Sequence, residues 1–269
     1  MTKPVGELMH PDLITCPRDT PLGQVAKLLM QHRVHALVVT EADGRAVGLI
    51  SDFDLLAGEW LSTDRESLET MRRMTAGELM SVPLNTIDAG SPASEAAQRM
   101  RREGFHRLIV TQDGQPRGVL SISDLVAYLA TQEPASRQTV ADVMSHAILV
   151  CRKETPVREV ARTMTEARYR SVLVLEADGR PQGVVSGWDL LSCLGGKGCT
   201  DQTAADVMHP ALTIRPDASL REASNLMIEN HYHRLVVVDP ARPEAVPLGI
   251  LSSYDIVNEM ARPDSVWQG

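Results

Sequence analysis

Apolar positions along this 269-residue chain switch four times between short aliphatic runs and a helical spacing. The helical stretches place apolar side chains at i, i+3, i+4 and i+7, the signature of an amphipathic helix. They are Leu22, Val25, Ala26, Leu29; Ala93, Ala96, Ala97, Met100; Val157, Val160, Ala161, Met164; and Leu220, Ala223, Ser224, Met227, the last with one polar member. Asp, Thr or Ser just ahead of each stretch predicts a side-chain N-cap. A short β-like stretch precedes each helix, at 13–16, 84–87, 148–151 and 211–214. A near-continuous aliphatic run follows it, at 36–39, 108–110, 172–175 and 235–238, and reads as a buried strand. Asp43-Gly44, Asp113-Gly114 and Asp178-Gly179 then signal hairpins in the first three cases.

Two landmarks bracket each of these blocks. Four segments begin alike, at Gly6-Glu7-Leu8-Met9, Gly77-Glu78-Leu79-Met80, Ala141-Asp142-Val143-Met144 and Ala205-Asp206-Val207-Met208. Four end alike, on Gly-x-x-Ser-x-x-Asp at 48–54, 118–124, 183–189 and 249–255. The methionine-to-aspartate distances are 45, 44, 45 and 47 residues, which is an internal repeat. The predicted order is β-α-β-β-α in an α/β protein, with repeats at about 5–60, 76–130, 140–194 and 204–260. A unit of about 50 residues buries too little surface to stand alone, so the repeats must pack on one another.

The repeats also form a hierarchy. The first and third share Cys16 and Cys151, Thr-Pro at 20–21 and 155–156, and Glu-Ala-Asp-Gly-Arg at 41–45 and 176–180. The second and fourth share His-Arg-Leu at 106–108 and 233–235. A pair is therefore the duplicated unit. The polar, proline-bearing stretch 131–138 divides module one (1–131) from module two (139–269).

Composition narrows the function. A formal charge of −8 and the lack of a basic block argue against nucleic acid as a partner. The first ten residues carry no apolar run of signal-peptide type, and every other apolar run falls far short of a membrane span, so a cytoplasmic protein without membrane contact is expected. Four scattered cysteines make neither a disulfide framework nor a metal site, and the close pair Cys193 and Cys199 is read as structural or incidental. His231 and His233 cluster without a convincing further ligand. No catalytic motif is present, so no enzyme and no redox cofactor are expected.

The candidate chemistry lies in Ser51, Ser121, Ser186 and Ser252, each where a strand turns into a helix. Unpaired N–H groups of a first helical turn suit an anion. Three residues on, Asp54, Asp124, Asp189 and Asp255 each offer two acceptor oxygens, which suit a vicinal diol such as ribose. The same spacing is equally a capping box, in which serine and acid serve only their own helix. Arg107 and Arg234, each preceded by a histidine (His106, His233), carry the planar fork that fits phosphate oxygens, or else form surface ion pairs. The odd repeats have His35-Ala36 and Arg170-Ser171 there and lack the pair. Phe53, Trp188 and Tyr254, beside three of the aspartates, are read as interface packing ahead of base stacking.

The paired β-α-β-β-α repeats with Gly-x-x-Ser-x-x-Asp resemble the CBS domain family, whose paired form is the Bateman module. The segments 233–239 and 249–255 are similar to the gamma regulatory subunits of AMP-activated protein kinase, which also carry four repeats. The resemblance implies a non-catalytic regulatory protein that binds AMP, ADP or ATP in clefts between repeats, with a magnesium ion on the longer phosphates, and that signals to a protein effector. It implies serine on phosphate, aspartate on ribose, and backbone contacts to adenine from the strand bearing Thr15, Thr86, Thr213 and the divergent Val150. The His-Arg pairs are expected to reach a nucleotide held by a partner repeat, which makes the Asp54 and Asp189 sites the tighter for phosphorylated ligands. S-adenosylmethionine sensing and an unliganded scaffold are the alternatives, and a homodimer is expected on family grounds only.

Overall fold

The computed structural model describes residues 3–60, 73–131, 138–194, 201–242, 246–262 and 265, with 57–60 and 192–194 as backbone only. The Cys193 and Cys199 side chains and the linker stretch 132–137 lie outside the described residues. The chain is the mixed α/β repeat protein that the pattern predicts. Each repeat builds a three-stranded sheet: Thr15–Pro17, Ala36–Thr40, Ala46–Ser51; Thr86–Asp88, Arg107–Gln112, Gln115–Ser121; Val150–Arg152, Ser171–Leu175, Pro181–Ser186; and Thr213–Ile214, Arg234–Val237, Gly249–Ser252. In every sheet the first strand runs parallel to the second, and the second antiparallel to the third. The first strands begin two residues later than the apolar runs predict. The reason is that the carbonyl just before each strand opens the ladder: Ile14, Asn85, Leu149 and Leu212 accept from Val38, Ile109, Leu173 and Val236 at 2.8–2.9 Å.

The amphipathic helices are Leu22–His32, Ala93–Glu103, Val157–Ala167 and Leu220–Asn230, and the predicted stripes are the buried residues of all four. Ser224, the polar member, is fully buried and donates to the Leu220 carbonyl at 2.8 Å, which removes the cost of hiding its hydroxyl. The predicted side-chain caps hold only once. Ser219 accepts from the Glu222 N–H at 3.1 Å, whereas the other three helices have Pro21, Pro92 and Pro156 at the N-cap without a side-chain cap. Their first N–H groups are satisfied by backbone from elsewhere: Leu22 donates to Met74, Ala93 to Lys3, and Val157 to Gln202, at 2.9–3.0 Å. Proline presets the extended backbone that delivers the chain to this arrangement.

The acceptors belong to the lead segments, the stretches that carry the repeated methionine motif, and lie just ahead of that motif. Each lead segment packs on the neighbouring repeat of its pair rather than on its own. His10 exchanges two backbone hydrogen bonds with Val119, both 2.9 Å, and Ser81 with Leu49 and Ser145 with Ile250 do the same. His209–Pro210 joins the strand Pro181–Ser186 as a fourth strand. This places Met9 over Gly118, Met80 over Gly48, Met144 over Gly249 and Met208 over Gly183. The two sequence landmarks are therefore packing partners. A Cβ on Gly183 would stand 2.7 Å from Met208 Sδ, and one on Gly249 2.8 Å from Met144 Sδ, so these strands tolerate no side chain there.

The chain forms two compact units. One holds Ile14–Leu84 and Leu149–Ala211, the other Met1–Leu13, Asn85–Ile148 and Leu212–Gly269. In the first, the helix Asp52–Trp60 packs on Val157–Ala167 and Gly187–Leu194, burying Leu56 among Val157, Val160, Met164 and Leu190. In the second, Ile122–Thr131 packs on Leu220–Asn230 and Ser253–Met260, around Leu125, Leu129, Met227 and Ile256. The sheets of repeats two and four share one core, whereas repeats one and three keep separate cores, each completed by a helix leucine of the other, Leu191 and Leu56. The lead segments link one with two and three with four.

The glycine–methionine contact is testable as a pair. At Gly48 all three of the nearest atoms belong to Met80, with Cγ 2.9 Å from a built Cβ. Gly48→Ala should cost roughly 1–3 kcal/mol in urea unfolding, the ordinary range for overpacking. In a Met80→Ala background the same change should cost clearly less. Equal costs in the two backgrounds would refute the contact as the reason for the glycine.

Candidate functional site

Each third strand ends on its serine, and the next helix starts one residue later, at Asp52–Trp60, Ile122–Thr131, Gly187–Leu194 and Ser253–Met260. The serine and its aspartate then lock together. Ser51 donates to Asp54 Oδ2 from its backbone N–H at 2.8 Å and from its hydroxyl at 2.6 Å, and the Asp54 N–H donates back to Ser51 Oγ at 3.3 Å. Ser121 and Asp124 repeat the set at 2.6, 2.7 and 3.4 Å, and Ser252 and Asp255 at 2.7, 2.5 and 3.3 Å. Ser186 donates twice to Asp189 Oδ2, at 2.7 and 2.6 Å. The full capping box is thus realised at Ser51, Ser121 and Ser252, and its serine-to-Oδ2 half at all four junctions. It fixes the carboxylate's rotamer and leaves Oδ1 outside the box. Because the box uses a single carboxylate oxygen, it does not by itself decide between capping and ligand contact.

A basic or imidazole side chain accompanies each aspartate. In the unit of repeats one and three, Arg170 is half-buried with its guanidinium carbon 4.7 Å from the centre of the Phe53 ring, and its charge acts on Asp52 and Asp54. His209 Nδ1 lies 3.1 Å from Asp189 Oδ2. In the unit of repeats two and four, His10 Nε2 lies 3.1 Å from Asp124 Oδ1, and Arg234 acts on Asp255 of its own repeat, across the paired residues Arg234 and Ser252.

A second, reciprocal set of contacts ties the junctions together within each unit. The position before the buried strand (His35, His106, Arg170, His233) touches the residue two beyond the serine in the other repeat. His35 meets the Trp188 ring at 4.8 Å between centroids, Arg170 covers Phe53, His106 stacks on Tyr254 at 5.0 Å, and His233 Nδ1 lies 3.3 Å from Ser123 Oγ. Phe53, Trp188 and Tyr254 are therefore packed between repeats, as expected. His231, read with His233 as a cluster, instead ends the helix Leu220–Asn230 in the left-handed conformation at φ 56°. Arg107 and Arg234 both begin their second strands, half-buried, and pair in register with Ser121 and Ser252.

Thr15, Thr86 and Thr213, with Val150 in the same register, lie exposed on the first strands. Residues the pattern misses are Asp52, His10, His209 and Arg170. Asp52 accepts from His35 Nδ1 at 2.9 Å if that nitrogen carries the proton. Aligning the four lead segments one residue past the methionine shows histidine in two and serine in two, the signal that would have found His10 and His209.

Electrostatics separate the junctions further. Burial raises the Asp54 carboxyl above the usual range, against its bonds to Ser51 and the charge of Arg170, while Asp52 pushes the same way as burial. Burial raises Asp255 likewise, opposed by Ser252 and Arg234. Burial also lowers the Arg170 guanidinium, with Asp52 and Asp54 opposing. The Cys151 thiol is pushed up to about 11, chiefly by burial, and Cys16 is raised for the same reason, so neither is an activated nucleophile. Among the described residues no group of three or more His, Cys, Asp and Glu could hold a metal ion, and no helix is long and apolar enough to cross a membrane.

The CBS domain pattern matches at 5–59, 76–131, 140–196 and 204–262, most of the chain. The chain belongs to the CBS domain family. An uncharacterised protein of Methanocaldococcus jannaschii is 28% identical over 191 residues, covering 69% of this chain and 43% of that protein. The magnesium transporter MgtE of Thermus thermophilus is 28% identical over 142 residues, covering 51% and 30%. This CBS protein thus spans less than half the length of these curated relatives. A crystal structure from M. jannaschii, described as that of a candidate archaeal homologue of g-AMPK, superposes with a TM-score of 0.84. It covers 96% of this chain and 100% of that one at 18% identity, a likeness of fold.

The charged pair at the first junction gives a pH test. Carbon-detected NMR should show Asp54 and Asp255 titrating above an ordinary aspartate, and Arg170→Met should move Asp54 further up. A folded pKa above the unfolded one means these two groups favour folding more as pH falls through that window, and less above it. Titration at or below the ordinary value would contradict the burial argument.

Proposed function

We propose that this CBS protein is a regulatory sensor that binds adenine nucleotides at its serine–aspartate junctions and passes the change to a partner protein. One observation carries the reading. All four aspartates are held in a fixed rotamer by their serine at a helix start, and all four stand beside a guanidinium or an imidazole: Arg170 for Asp54, His10 for Asp124, His209 for Asp189 and Arg234 for Asp255. A carboxylate that keeps one oxygen outside its own cap can receive a sugar diol, and the helix N-terminus with nearby cations suits phosphate. Family membership supports these roles.

In this reading the functional modules are 1–131 and 139–269, a grouping that the reciprocal exchange of lead segments supports. Thr15, Thr86 and Thr213 lie on strands whose backbone faces the base, and His106-Arg107 and His233-Arg234 contribute to phosphate. AMP, ADP and ATP are the ligands, with magnesium carried on the longer phosphates. The effector and a homodimer partner are part of the proposal. Ligand binding shifts how repeats sit against each other, and the partner's affinity follows by linkage. Location in the cytoplasm and the absence of catalysis belong to the same reading.

Calorimetric titration of the full chain against AMP, ADP, ATP and S-adenosylmethionine tests it. Adenine nucleotides should bind, and Asp54→Ala should weaken one class of site by about 10- to 100-fold, the worth of a charge-assisted hydrogen bond. Heat with none of the four ligands would leave a scaffold held together by its capping boxes, and heat with S-adenosylmethionine alone would make the protein a sensor of that compound.

A further inference from the structure

The four junctions fall into two kinds according to what the exchanged lead segment brings to them. The residue after each lead methionine occupies one backbone register throughout: His10 pairs with Val119, Ser81 with Leu49, Ser145 with Ile250 and His209 with Val184, always the position after the strand glycine. Two lead segments therefore present histidine and two present serine at the same place. Where it is histidine, the ring lies on the aspartate of the repeat that receives it. His10 Nε2 is 3.1 Å from Asp124 Oδ1, and His209 Nδ1 is 3.1 Å from Asp189 Oδ2.

The atoms matter. The Ser121 box uses Asp124 Oδ2, so His10 takes the oxygen that the box leaves over. His209 adds a third partner to an oxygen that Ser186 already contacts twice. Both carboxylates are deep, with side chains only 10% and 16% exposed, whereas His10 is 77% exposed and His209 26%. The His10 ring, mostly in solvent, can swing away from its sunken acceptor without disturbing the core, whereas the His209 ring is held more deeply. At the other two junctions the acid instead lies in the field of a guanidinium, Arg170 at Asp54 and Arg234 at Asp255.

We infer that His10 and His209 are specificity-determining residues that hold the Asp124 and Asp189 junctions against ligand, so that the four sites fill in two classes. This rests on the reading of the aspartates as ribose acceptors. A sugar hydroxyl reaching Asp124 must displace the imidazole from Oδ1, and at Asp189 it meets an acceptor whose charge is already shared. The Asp54 and Asp255 sites carry no such competitor at that lead position, since Ser81 and Ser145 stand there. They fill first. The unequal sites follow the lead segments, pairing repeat one with four and two with three, in place of the one-with-three pairing that the His-Arg pairs alone predict.

The test exchanges the two residue types, which the chain itself already places in this register. In an Asp54→Ala, Asp255→Ala background, calorimetry with AMP should show His10→Ser and His209→Ser each tightening binding about two- to tenfold, the net worth of one hydrogen bond. In the otherwise unaltered chain, Ser81→His and Ser145→His should weaken the first class of site by a similar factor. Unchanged or weaker binding after His→Ser would overturn the inference, as would no effect of Ser→His, provided the unaltered chain binds AMP. If the unaltered chain binds no nucleotide at all, the reading of the junctions as nucleotide sites fails, and the inference with it.

Discussion

Four methionines lie on four bare strand backbones, each reaching over from the neighbouring repeat of its pair, and the rest of the fold is arranged around that exchange. A strand with a side chain at Gly183 or Gly249 could not accept Met208 or Met144. The same lead segment makes backbone bonds to the third strand and delivers the carbonyls of Lys3, Met74 and Gln202 to helices that begin on proline. Three unrelated-looking sequence features thus have one cause: the lead methionine, the strand glycine and the proline at the helix start. A repeat too small to fold alone takes a backbone pairing on its third strand from its partner, and three of the four take a helix-start acceptor as well.

The same exchange builds the candidate site. The glycine strand that receives the lead segment runs on into the serine, and the serine clamps the aspartate at the first turn of the next helix. Whatever the lead segment carries one residue past its methionine therefore arrives beside that strand, which is how His10 comes to Asp124 and His209 to Asp189. The capping box and a ligand-binding role share this junction without conflict, because the box consumes Oδ2 and the helix start supplies the field. Burial raises the Asp54 and Asp255 carboxyls, so keeping them charged within the fold works against desolvation, with serine and arginine opposing it.

Much of this was legible in the sequence, and the limits are physical. The buried stripes were readable residue by residue, down to the polar Ser224, because a 3.6-residue period allows only one face to be buried. The strand-to-helix junctions were readable because serine and acid three apart can do little else locally. The helix caps were not: Thr20 and Thr155 look like caps, but the following prolines take the N-cap, and the N–H groups are met by backbone that carries no sequence signature. Arg170 was marked only as a break in the His-Arg pattern, since its partners Phe53, Asp52 and Asp54 lie more than a hundred residues away. His10 and His209 were invisible for a similar reason, their register being set by strand exchange between repeats.

The central claim is that the aspartate oxygen left outside the capping box receives a sugar. A crystal structure of the full chain grown with AMP tests it most directly. The account predicts density for a ribose with its hydroxyls against Oδ1 of Asp54 and Asp255 while Ser51 and Ser252 keep Oδ2. Crystals at millimolar AMP in which all four aspartates contact only their own protein would contradict it.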